Sequence, residues 1–228
     1  MSIERIHYVP DFVNVEEERQ LMERVYGVPK PKWRTLARRR LQNWGGTLAG
    51  SAETGKQFLL QDEQLPEWLE HCIDKIMALD SGSPLTTFPA ENRPNHPHTD
   101  GPAFYPLIST ISLGSHTMLD FYDQDPSDSS RRTSVGSVLL ERRSLVLIAG
   151  HAYQMLHGIE ERNTDQIKSV DALLNRSALS KSAFAMVDQG ELDRQTRVSL
   201  TIRNVPITKR VPLMIKKCLD VQKKPSMK

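Results

Sequence analysis

Cysteine is scarce in this chain: Cys72 and Cys218 are the only two in 228 residues, too far apart for a C-x-x-C pair or a disulfide framework. That scarcity argues against a disulfide-stapled secreted fold and suits a reducing compartment. Long apolar runs are missing too, so no segment approaches membrane-spanning length. Residues 1–15 carry Glu4, Arg5 and Asp11 where a secretory signal would need an unbroken apolar stretch. No internal repeat is present. The expectation is a soluble intracellular protein with no membrane partner, folded as a single domain over 1–228 around one sizeable core.

What is present is uneven. Net charge is only +2, but Gly27 to Ala52 holds Lys30, Lys32, Arg34, Arg38, Arg39 and Arg40 with no acidic residue. Trp33 and Trp44 lie in the same stretch, and cations interleaved with flat aromatics suit phosphates and unstacked bases. A solvated basic loop with its tryptophans in the core is the plainer alternative. Residues 209–228 are also basic, with Asp220 the one acid, and read as a tail over 206–228.

The N-terminal part, 1–83, reads as helical. Val15 to Val25 places Val15, Leu21, Met22 and Val25 near one stripe, with acids in the first turn and Asn14 as cap. Pro66 opens a second helix with Leu69, Cys72, Ile73 and Ile76 spaced three and four apart. From 84 to 205 the pattern changes to strands: Leu107 to Leu113 and Thr117 to Tyr122, read as a hairpin about Gly114-Ser115, then Val138 to Leu140, Ser144 to Ile148 and Val198 to Val205. Asp123 to Ser137 is polar and reads as a loop. A polar insertion near 160–193 has the length of a lid. Short strands behind helices predict a mainly β fold with flanking helices, a double-stranded β-helix or jelly roll.

Three features carry chemistry. His98-Thr99-Asp100 offers an imidazole and a carboxylate two residues apart, and His157 follows a strand; two histidines and one carboxylate on a β scaffold make a facial triad for Fe(II). His151 competes for the third place, although no strand leads out of it. His7, His71 and His116 read as ordinary imidazoles. In "TRVSLTIRNV" the strand period puts Arg197, Ser199, Thr201 and Arg203 on one face and Val198, Leu200 and Ile202 on the other. Two arginines turned into a barrel need an anion, and a dicarboxylate pairs with them bidentately. Exposed arginines in water are the alternative. Phe104, Tyr105, Phe121 and Tyr122 are either walls for a stacked base or core.

In this order, H-x-D, a distal histidine and R-x-x-x-x-x-R resemble the AlkB-like family of Fe(II)- and 2-oxoglutarate-dependent dioxygenases. "RRRLQNWGG", "HTDGPAFYP", "STISLGSHTMLDFY" and "MLHGI" look most like the AlkB homologue six branch, over nearly the whole chain. The resemblance implies a jelly-roll dioxygenase core and iron ligation by His98, Asp100 and His157. It implies 2-oxoglutarate binding by Arg197 and Arg203, with Arg197 on the distal carboxylate, and use of dioxygen. It further implies oxidative demethylation of alkylated RNA or DNA, presented single-stranded or as a flipped base. Lys32 to Gly46 would be the nucleotide-recognition lid, with Trp33, Arg38, Arg39, Arg40 and Trp44 as candidate contacts. A protein or small-molecule substrate is the lesser alternative. Cytoplasm and nucleus are the expected locations; the sequence names no protein partner.

One departure from the family's pattern stands out. Family members reach H-x-D along a strand bearing an Asn-x-Tyr pair, whereas here Pro84, Pro89, Pro94 and Pro97 crowd the approach and "ENRPNH" joins directly onto "PHTDGP". A strand and its turn, about a dozen residues, are apparently deleted between His96 and Pro97. The alternative expectation is therefore a catalytically impaired splice form or gene-model variant that binds nucleic acid without turnover.

Overall fold

The computed structural model describes residues 5–36, 39–51, 56–79, 101, 103–125, 128–167, 173–187 and 190–210. The N-terminal part runs β1 (Ile6–Val9), α1 (Val15–Tyr26), β2 (Trp33–Thr35), β3 (Arg40–Gln42), β4 (Thr47–Ser51), β5 (Lys56–Gln61) and α2 (Glu67–Met77). Strands then dominate: β6 (Leu107–Leu113), β7 (Thr117–Asp125), β8 (Asp128–Leu140) and β9 (Leu145–Ala149). The short α3 (Gly150–Gln154) leads into β10 (Leu156–Gly158). After β11 (Thr164–Gln166) come α4 (Lys181–Val187), β12 (Glu191–Asp193), β13 (Val198–Arg203) and β14 (Thr208–Arg210). Among the described residues no helix is long and apolar enough to cross a membrane.

The fold is mainly β with flanking helices. A four-stranded antiparallel sheet, β1-β9-β6-β13, faces a three-stranded one, β10-β7-β8. Alternation decides what lies on each face of the larger sheet. Leu107, Ile111, Leu113, Leu145, Leu147, Leu200 and Ile202 point one way and pack under the helices with Leu21, Val25, Cys72, Ile73 and Ile76. Val146 and Ile148 point the other way, meeting Leu119, Phe121, Val138 and Leu140 of the smaller sheet. The inner faces thus enclose a space that β13 lines with its polar side chains.

Both long helices form where the apolar spacing places them. Asn14 caps α1 in a reciprocal box: its Oδ1 accepts from the Glu17 amide at 2.8 Å, and Glu17 Oε2 accepts from the Asn14 amide at 2.6 Å. The inward stripe differs from the expected one. Val15 is exposed, whereas Glu18 is buried, accepting from Arg142 Nε and from the Gly114 amide at 2.8 and 2.7 Å. Helix α2 buries Leu69, Cys72, Ile73 and Ile76, the four expected residues.

Two strand expectations are corrected. β6 and β7 form no hairpin: β9 and β13 occupy both edges of β6, so β7 crosses to the other sheet and pairs with β8 and β10. Gly114 turns that crossing at φ +81°, and a Cβ there would stand 2.5 Å from the Thr196 carbonyl oxygen. Asp123 to Ser137 is no loop either, since most of it extends the β7–β8 ladder beyond the core, with Arg131 to Thr133 exposed. The described residues of the 160–193 segment fold back through the β11–β12 pair, and Ile167, Leu173, Val187 and Leu192 cover Met118 and Leu139 on the outer face of the smaller sheet.

Candidate active site

Between the two sheets, under the β2–β3 hairpin, lies a cavity of about 460 Å³. Its described lining holds five arginines, Arg39, Arg40, Arg194, Arg197 and Arg203, two histidines, His116 and His157, and no aspartate or glutamate. Strand alternation supplies part of this. Thr201 sits opposite Thr110, and Arg203 opposite Ile108, while the intervening Leu200 and Ile202 go into the helical core. A space so lined attracts anions.

Arg197 Nη2 donates to Ser112 Oγ at 2.9 Å, but its Nε is buried without a hydrogen-bond partner. Burial, then the neighbouring charge of Arg194, pulls the Arg197 pKa down to about 10, so the group still enters neutral solution as a cation. Arg203 is buried with its guanidinium 5.4 Å from the Phe104 ring centre. Gly101, which directly follows Asp100, accepts from the Phe104 amide at 3.3 Å. His157 is buried on β10 opposite Phe121, its Nδ1 3.3 Å from the Met155 carbonyl oxygen. A proton donated along that contact makes Nε2 the lone-pair nitrogen, the form a metal ligand needs.

Of the two competing histidines, His151 is exposed on α3 and outside the lining, whereas His157 is part of it. His157, Arg197 and Arg203 thus share one cavity with Trp33, Arg39, Arg40 and Trp44. His98, Asp100 and Arg38 lie outside the described residues, as does the proline-rich approach to them, and no group of three possible metal ligands forms among those described. Phe104, Tyr105, Phe121 and Tyr122 are outside the described lining, in keeping with the core alternative for them. Phe121 is fully buried between the sheets.

The hairpin above the cavity is built on cation–aromatic contacts. Trp33 stacks on Tyr26 at 6.2 Å, and exposed Arg40 lies 4.4 Å over Trp33. Lys32 Nζ sits 4.0 Å over Trp44, which meets Trp68 edge-on at 6.1 Å. Arg39 is placed differently from Arg40. Its Nε and Nη2 are buried without hydrogen-bond partners, and burial, then the charge of Arg203, lowers its pKa.

His116, taken as ordinary from sequence, lines the cavity with its Nε2 3.4 Å from Asp165 Oδ2. Asp165 is fully buried. Burial alone would raise its pKa, but His116, Arg194 and Arg162 together hold it far below the usual carboxylate range. Arg194 donates to it at 2.7 and 2.6 Å and Arg162 at 2.8 Å, tying β11 to the residue that follows β12. The only local sign of this cluster is the i,i+3 spacing of Arg162 and Asp165, because its other members are distant in sequence.

No family model matches the chain. It is 36% identical over 225 residues to "Probable RNA/DNA demethylase ALKBH6" of Danio rerio, covering 93% of this chain and 90% of that one. It is 27% identical to "Alkylated DNA repair protein ALKBH8 homolog" of Arabidopsis thaliana, covering 78% of this chain and 56% of the relative. A protein of Acanthamoeba polyphaga mimivirus is 26% identical, with 86% and 83% covered. The solved structure described as "The structure of OsALKBH1" superposes with a TM-score of 0.46 at 13% identity, covering 87% of this chain and 97% of that one. At the identity and coverage shared with the Danio rerio relative, this chain belongs to the AlkB-like family of dioxygenases.

Proposed function

We propose that this protein is an Fe(II)- and 2-oxoglutarate-dependent dioxygenase that removes alkyl groups oxidatively from nucleic-acid bases. The observation that carries the reading is the described cavity lining: five arginines, with no aspartate or glutamate among the described residues, beside a buried His157. Such a lining fits a dicarboxylate, since Arg197 Nε and two nitrogens of Arg39 have no protein partner to satisfy them. The donor set also fits iron, with His157 at the cavity and His98 and Asp100 as the ligands the sequence motif supplies.

When bound, iron and 2-oxoglutarate would supply the oxidising chemistry that turns an N-methyl group into released formaldehyde. The chain's own residues do the rest. Arg197 and Arg203 would hold the cosubstrate carboxylate, Ser112 keeping Arg197 in place. Leu119, Val146 and Ile148 make the inner wall apolar and exclude bulk water. Trp33 and Trp44, braced by Tyr26 and Trp68, would line the path of a base entering as a single strand or flipped out of a duplex. The names of the Danio rerio and Arabidopsis thaliana relatives point to the same substrate class. The test is turnover on single-stranded oligonucleotides bearing N-methylated bases, read as formaldehyde and succinate. Product from the wild type and none from His157→Ala is expected; no product from any methylated base overturns the reading.

A second reading has its own support: a form that binds nucleic acid without turnover. The approach to His98 carries four prolines and no strand-length alternating run. Under this reading oligonucleotide binding weakens steeply with salt and with loss of Arg38 and Arg40, while His98→Ala changes nothing measurable.

A further inference from the structure

Arg39 is held in a way its neighbours are not. It closes the turn of the β2–β3 hairpin, its carbonyl oxygen accepting from the Leu36 amide at 2.7 Å. Arg40, the next residue, is exposed, with its guanidinium carbon 4.4 Å from the Trp33 ring centre. Arg39 instead sends its guanidinium inward, where Nε and Nη2 are shut off from water with no hydrogen-bond partner, and Arg203 is the charge it feels. Two guanidinium groups lining one cavity repel each other, and each unfilled donor of Arg39 carries its full desolvation cost. One anion between them removes both penalties.

We propose that Arg39 is a third arginine of the dicarboxylate site, carried by the hairpin, so that bound 2-oxoglutarate bridges Arg203 of the sheet to Arg39 and draws the hairpin over the cavity. This rests on the cosubstrate assignment made above. A small dicarboxylate is favoured over a nucleic-acid phosphate because Arg203 is buried on the inner face of the sheet, whereas the exposed cations of the hairpin, Arg34 and Arg40, are those a polyanion outside would meet. Loading of cosubstrate would then order the base-contacting tryptophans before nucleic acid arrives.

The test uses Mn(II)-loaded full-length protein, which cannot turn over, with 2-oxoglutarate binding measured by calorimetry for wild type, Arg39→Met, Arg39→Lys and Arg203→Met. Hydrogen exchange across residues 33–42 is followed with and without 2-oxoglutarate, and affinity for a single-stranded oligonucleotide is measured in parallel. Arg39→Met is expected to weaken 2-oxoglutarate about tenfold or more, as loss of a bidentate charged contact does, and to abolish the slowing of exchange that 2-oxoglutarate produces in the wild type. Arg39→Lys, which keeps the charge and loses the fork, falls between, and covers the case in which the methionine variant does not fold. Wild-type affinity in Arg39→Met alongside loss in Arg203→Met overturns the inference and leaves the cosubstrate site standing. Loss of oligonucleotide affinity alone makes Arg39 a phosphate contact and also overturns it. A wild-type protein that binds no 2-oxoglutarate sinks both the inference and the reading beneath it.

Discussion

Two buried carboxylates hold the cavity's surroundings, and each ties acid stability to a named residue. Glu18 has burial pushing its pKa up and the bonds from Arg142 and the Gly114 amide outweighing it, leaving it below its ordinary value of 4.5. A folded pKa below the unfolded one means stability that is present above about pH 4.5 and lost as pH falls towards the folded value. Glu18→Gln should therefore cost about 1–3 kcal/mol at pH 7 and flatten the acid limb of urea-denaturation midpoints between pH 7 and pH 3; equal midpoints at pH 7 would contradict this. Asp165 obeys the same sign with more at stake, because its loss takes three charged hydrogen bonds from Arg162 and Arg194, leaving Arg194 with the Glu160 carbonyl oxygen and Arg162 with Glu160 and Asp120. Asp165→Ala should cost about 3–5 kcal/mol and speed hydrogen exchange across β11 and β12 before the rest of the molecule. These residues also mark the limit of what the chain discloses about itself. Asp165 sits far in sequence from His116 and Arg194, so only the fold joins them. The face shared by Arg197, Ser199, Thr201 and Arg203 needs nothing but a strand's two-residue period, and was legible beforehand.

At the scale of elements, local physics was readable where one period and one cap decide the outcome. Helix α2 buries the four residues its spacing selects, and Asn14 caps α1. Asn14→Ala should lower stability by about 1 kcal/mol, seen as a shifted chemical-denaturation midpoint with unchanged slope. Pairing was less legible, because it depends on which strand edges are already taken. β6 and β7 look like a hairpin from their spacing and turn residues, yet β9 and β13 fill both edges of β6. The polar extension of β7–β8 shows little burial alternation, since much of it meets water on both faces. Gly114 makes the β6–β7 crossing possible. Gly114→Ala should destabilise by more than about 1 kcal/mol, through positive φ and the approach to the Thr196 carbonyl, in the same denaturation assay.

For the whole molecule, the question is whether a jelly roll whose approach to His98 carries four prolines builds the proposed iron and cosubstrate site. Among the described residues, Arg39, Arg197, Arg203 and His157 line one cavity, and no aspartate or glutamate stands in its described lining. The strand that carries Arg203 was readable in the sequence, but neither the short β10 under His157 nor the inward turn of Arg39 was, because the direction of a hairpin side chain is set by the sheet it folds onto. Restoring a strand and turn of about a dozen residues between His96 and Pro97 should raise both the melting temperature and the affinity for 2-oxoglutarate; no change in either would rule out a functional deletion. The most direct measurement is an anaerobic titration of 2-oxoglutarate into Fe(II)-loaded protein, following the visible charge-transfer band that chelation produces. A saturable band is predicted, lost in His98→Ala and displaced about tenfold or more in concentration by Arg203→Met. A folded, iron-binding wild-type protein that gives no band would contradict the account.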